Sequence, residues 1–216
     1  MFMDPALFAT LGHRELRVEC AIVIAIGTVI GLAALIALQL LPTGVNASEE
    51  LVFRYGFSKY SWLYRMYATG FGIASIAAAI AVHQAVELKP NATGWFTVFA
   101  LSQLLDGWLP RDEPGKTDNY STRARGIIIV TRNYYYFFAL FFTTKIANTT
   151  NSRPIVNYAH DLTFVLIIGA LFLFGMTIRD GLSNYRGTNW FGLMERVVLL
   201  LAMPSILLIT AFAISR

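Results

Sequence analysis

Charged side chains inside long apolar runs are the residues of this sequence whose placement most needs a chemical reason. A charge near the centre of a bilayer costs about 2.5–3.5 kcal/mol on insertion scales. Arg132 stands about six residues into the apolar run 126–147, roughly 9 Å along a helix axis at about 1.5 Å per residue. Asp106 stands a similar short way inside the end of the preceding run, 93–109. If these runs are sequential antiparallel helices, the two charges fall at the same end and can pair. Glu195 and Arg196 lie about one turn into the run 190–214, and Arg65 about one turn into 62–86, at that same end. The connection between the third and fourth runs adds Arg111, Asp112, Arg123 and Arg125. Guanidinium groups grip carboxylate and phosphate oxygens as a bidentate fork, so this set forms a polar vestibule suited to an anionic lipid headgroup. A plainer reading has Arg65 and Arg196 snorkelling to headgroups while Asp106, Arg132 and Glu195 lock helices together. Both readings stand on the sequence.

Other chemistries have less support. His13, His83 and His160 fall on the opposite side, no two of them in one run, whereas a transmembrane bis-histidine haem site places its ligands deep within spans. Cys20 is the single cysteine, so an intrachain disulfide and a thiol-rich metal site are excluded. There is no Ser/His/Asp set at an elbow, no HExxH and no Walker lysine. The adjacent Asp112 and Glu113 read as a solvated turn rather than an acid/base pair. We therefore expect no catalytic residue, no metal and no cofactor. A net charge of +4, with acidic residues interspersed among the basic ones, carries no nucleic-acid signal.

The elements that position these residues follow from composition. Of 216 residues, 56% are hydrophobic and only 14% charged, which in water would leave large sticky surfaces but suits lipid on every side of a helix. A helix needs roughly 20 apolar residues to cross a hydrocarbon core about 30 Å thick. Six runs qualify, at 18–41, 62–86, 93–109, 126–147, 160–180 and 190–214. The expected fold is one all-α domain over residues 1–216, a polytopic bundle of about six transmembrane helices. The segment before residue 18 reads as retained, since the run that follows is too long for a signal-peptide core.

Breaks between runs carry Pro42 and Gly44, Pro90, Pro110 and Pro114, and Pro154. The long irregular stretches 42–61 and 110–125 share one side. Lys and Arg are more numerous on that side, so the positive-inside rule leans weakly toward termini outside and the long loops in the cytoplasm, while Arg14 and Arg17 flanking the first run argue the reverse. Gly27 and Gly31 in the first run, with Gly70, Ala74 and Ala78 in the second, form small-residue stripes expected to pack against neighbours within the chain. Pro204 is expected to kink the sixth helix modestly. Tyr134, Tyr135, Phe138 and Phe142 make the fourth helix aromatic, a surface for lipid or for another membrane subunit. An accessory subunit of a larger membrane complex is accordingly the alternative to lipid binding. A small transporter ranks lower, because the charges cluster near the ends and no internal repeat is evident.

The stretch Trp108-Leu109-Pro110-Arg111-Asp112-Glu113-Pro114-Gly115 resembles the Phe-Pro-Thr-Asp-Pro-Pro-Gly loop of a bacterial and archaeal six-helix membrane family catalogued as domain of unknown function 998. Ser121-Thr122-Arg123-Ala124-Arg125-Gly126 is similar to that family's Thr/Arg/Gly-rich entry to helix four. Ser61-Trp62-Leu63 looks like its Gly-Trp-Leu entry to helix two, and Gly192-Leu193-Met194-Glu195-Arg196 like its Gly-Leu-x-(Gln/Glu)-Arg start of helix six. Arg111 replaces the family's Thr, Glu113 the first of its paired prolines, and the His at the start of its helix four is absent, with 127–129 all Ile. The resemblance implies a six-span fold in a bacterial or archaeal plasma membrane, distantly similar to DRAM-type and Frag-type membrane proteins, and no established activity.

Overall fold

Proline placement sets the limits of the first helix. Pro5 opens α1 (Pro5–Leu40), where its missing N–H costs nothing. Pro42 and Gly44, the latter at a φ of 76°, turn the chain away after it. A computed structural model of the chain describes residues 5–47, 50, 52–84, 91–108, 148, 152–165, 167–168 and 191–215. These are helical almost throughout, without a strand among the described residues.

A short 3-10 helix (Val52–Phe57) links α1 to α2 (Ser61–Gln84), and α3 (Asn91–Trp108) follows. Ser58 prepares the start of α2: its hydroxyl accepts the Tyr60 N–H at 3.2 Å and its carbonyl the Ser61 N–H at 3.1 Å. A helical stretch at 153–165, here α4, has Pro154 in its first turn, where proline is tolerated. It begins before the expected boundary at residue 160. The C-terminal part comprises α5 (Phe191–Val197), a π-helical turn (Val198–Ala202) and α6 (Met203–Ser215).

That π turn is how the chain accommodates Pro204. Proline has no N–H for the carbonyl four residues back, and its ring crowds that carbonyl. Widening the preceding turn relieves the crowding without ending the helix. Where a modest kink was expected, the structure shows a local change of helix type.

Three helices among the described residues are long and apolar enough to cross a membrane: Arg14–Leu40, Ser61–Gln84 and Glu195–Ser215. They correspond to the first, second and sixth expected runs. The third run matches α3, whose 18 residues include Gln103 and Asp106. The fourth run, 126–147, lies outside the described residues, as does most of the fifth. Outward faces are apolar as well, with Ile26 55% and Val29 60% exposed, an arrangement that fits a membrane protein.

Glycines fix the packing. A Cβ added at Gly70 would lie 2.7 Å from the Gly27 carbonyl oxygen and 2.8 Å from the Gly31 nitrogen, so α1 and α2 meet backbone to backbone. The small-residue stripe is thus used inside the chain. Between α2 and α3, a Cβ at Gly107 would lie 2.6 Å from that of Ala68, while Gly72 faces Leu104, so these helices are antiparallel neighbours. α6 packs on α1 from another side. Tyr64, Tyr67 and Phe71 fill the interior along α2, with ring centroids 5.5 and 5.4 Å apart in succession.

Candidate functional site

The antiparallel packing of α1, α2 and α3, with α5 hydrogen-bonded to the 3-10 helix and to α1, brings the end of α1, the 3-10 helix, the start of α2, the end of α3 and the start of α5 to one end. Arg196 is the centre of one half of that end. Only 4% exposed, it spreads its guanidinium over three acceptors. Nε donates to Gln39 Oε1 at 2.9 Å, Nη1 to the Glu50 carbonyl at 2.6 Å and Nη2 to the Tyr55 hydroxyl at 3.0 Å. The Tyr55 hydroxyl in turn donates to Gln39 Oε1 at 2.9 Å, and its ring centroid lies 5.2 Å from the guanidinium carbon. Beside it, Glu195 Oε2 accepts the Val52 N–H at 2.6 Å. A buried guanidinium is tolerated when its donors are used, and here they bind α1 and the 3-10 helix to α5. The arrangement is a clasp.

The other half is built on α2 and α3. Asp106, 2% exposed, accepts a hydrogen bond at Oδ2 from the Tyr64 hydroxyl. One turn earlier, Gln103 is fully buried, and neither its Oε1 nor its Nε2 has a hydrogen-bond partner among the described residues. Arg65 is placed differently. Exposed at the outer surface, its guanidinium carbon lies 5.4 Å from the Trp108 ring centroid, a cation–π distance. Trp108 Nε1 donates to Thr69 Oγ1 at 3.0 Å, which holds the indole in position as a platform. No hydrogen bond or ion pair engages the Arg65 N–H groups among the described residues.

Below this platform a groove of about 600 Å³ runs between α1 and α2, with Trp62, Arg65 and Trp108 at its mouth. Its floor is the Gly27–Gly70 contact. Two residues without side chains at a helix crossing leave a depression that larger residues would fill.

Of the nine residues expected in an anion-binding vestibule, Arg65, Asp106, Glu195 and Arg196 therefore share one end of the structure but not one pocket. Arg111, Asp112, Arg123, Arg125 and Arg132 lie outside the described residues, as do the aromatic positions Tyr134, Tyr135, Phe138 and Phe142. Gln39, Tyr55, Tyr64 and Thr69 escaped the sequence reading. Gln39, a polar amide two positions before the end of the first apolar run, is the one whose position carried a signal. Comparison with protein-family models, curated proteins and solved structures finds no match, so nothing in them identifies the six-helix family that the loop motifs resemble.

Proposed function

We propose that this chain is a non-enzymatic, multi-pass membrane protein of six spans that binds an anionic lipid headgroup at its loop-rich end. The observation that carries the reading is Arg65, an exposed guanidinium on the Trp108 face whose donors no described residue engages. About one turn into a helix that is apolar enough to span, it sits at the depth where long basic side chains reach phosphates. The two tryptophans beside it, Trp62 at 56% and Trp108 at 61% exposure, are the residue type that marks a membrane–water interface. In sequence, the segment after Trp108 supplies Arg111, Arg123 and Arg125 as further cations.

Within this reading Arg196 and Glu195 frame the site rather than contact lipid, because their polar atoms already hold the protein together. The family resemblance and a bacterial or archaeal plasma membrane location belong to the same proposal. Native mass spectrometry of protein released from a mixed zwitterionic and anionic bilayer tests it. Wild-type protein retains anionic lipid, and Arg65→Gln lowers that retention about tenfold, the loss of one charge-assisted contact. Equal retention by both proteins contradicts the reading.

A further inference from the structure

Building on the headgroup reading, we infer that the groove between α1 and α2 seats one acyl chain of the lipid that Arg65 holds, which makes the ligand a phosphate-bearing glycerolipid rather than a free phosphate. Dimensions carry the argument. From Trp62 at the mouth to Ile73 at the far end, the groove follows α2 for 11 residue steps, about 16 Å at about 1.5 Å per residue. Half of a hydrocarbon core about 30 Å thick is close to that length, so the groove reaches from the headgroup level to the bilayer midplane, the depth of one leaflet. An acyl chain does the same.

Its walls have matching chemistry. Val23, Ile26 and Ile30 of α1 face Met66 and Ile73 of α2 across the bare backbone of Gly27 and Gly70. Arg65, mounted on Trp108, lies within one turn of the Trp62 mouth, and Thr69, one turn further along α2, has its hydroxyl engaged by the indole N–H, which leaves the stretch from Gly70 to Ile73 apolar. A cation at one end of an apolar channel with an aromatic rim is complementary to an anionic head joined to a hydrocarbon tail.

A second copy of the chain fits less well. A helix with its side chains is about 10–12 Å across, and one laid over the mouth would desolvate Arg65 unless it brought a carboxylate. Among the described carboxylates near that end, Glu50 pairs with Arg54 at 3.6 Å, Asp106 is buried and Glu195 holds Val52. The small residues that commonly drive helix association are already spent on the α1–α2 crossing.

The test uses purified full-length protein in a mild detergent, titrated with dioleoylphosphatidylglycerol or its dihexanoyl analogue and read by native mass spectrometry. Ile26→Trp fills the groove from one wall and Ile73→Trp from the other, both at positions that are exposed. Each is expected to weaken the dioleoyl lipid about tenfold or more while changing the short-chain lipid less than about threefold. Arg65→Gln is expected to weaken both lipids. If the tryptophan variants leave dioleoyl binding unchanged while Arg65→Gln reduces it, the acyl-chain inference is overturned and the headgroup reading survives. If Arg65→Gln changes neither lipid, the headgroup reading fails and the inference fails with it. A dimer that Ile26→Trp dissolves assigns the groove to a second copy and likewise overturns it.

Discussion

Arg196 and Arg65 look alike in the sequence, each about one turn into an apolar run, and the structure gives them opposite environments. One is sealed beneath the 3-10 helix with its donors taken; the other stands on the outer surface over a tryptophan. The difference comes from acceptors far away along the chain, Gln39 and Tyr55, which no local pattern links to Arg196. Replacing Arg196 with Gln should therefore destabilise the protein by about 3 kcal/mol or more, because it strands buried acceptors. Arg196→Lys should rescue little of the loss, since one ammonium cannot span the three acceptors a planar fork reaches. Equilibrium unfolding in detergent measures both, and a change below about 1 kcal/mol for Arg196→Gln would show that the clasp does not matter. Gln103 gives the converse prediction. With both amide atoms buried and unpartnered among the described residues, Gln103→Leu should raise stability by about 1–3 kcal/mol in the same measurement. A loss would mean that a bound water or ligand satisfies the amide. Asp106 was legible as a charge needing a partner; Tyr64 was not, because a tyrosine at a helix start serves equally well as an interfacial anchor.

At the scale of elements, the sequence was most informative where a physical constraint acts within a single segment. The first, second, third and sixth runs emerge as helices because apolar length and proline breaks act locally. The start of α1 at Pro5 was missed, since nothing in residues 5–17 stops a helix that lipid demands only from about residue 18. Pro204 predicted a disturbance but not its form, because a bend and a π turn relieve the same clash. The glycine stripe was read correctly as an internal contact, and it gives the sharpest test of the α1–α2 crossing. Gly70→Ala drives a methyl group into the Gly27 and Gly31 backbone, neither of which can rotate away. We expect a loss of about 1–3 kcal/mol, typical of overpacking. Gly94→Ala, where a Cβ meets nothing within 4 Å, is the control and should be neutral or slightly stabilising. Equal melting temperatures for the two variants would contradict the close crossing.

The described residues are asymmetric along the bundle. The end with the longer connections carries the Arg196 clasp, the buried Asp106 and the Arg65 platform, while His83 is exposed at the far end of α2. The clasp fixes the 3-10 helix over the bundle end, and the glycine crossing opens a groove that begins at Arg65. On this account rigidity and binding are divided between two arginines at one membrane face. The division could not be read from spacing alone, which grouped both arginines into a single vestibule. A density map of the full-length protein in nanodiscs containing phosphatidylglycerol tests the division most directly. The account predicts a phosphate within hydrogen-bond reach of Arg65, above Trp108, with its chain running between Ile26 and Ile73 and no lipid at Arg196. A phosphate seated on Arg196 beside an unoccupied Arg65, or a second protein helix lying in the groove, would contradict it.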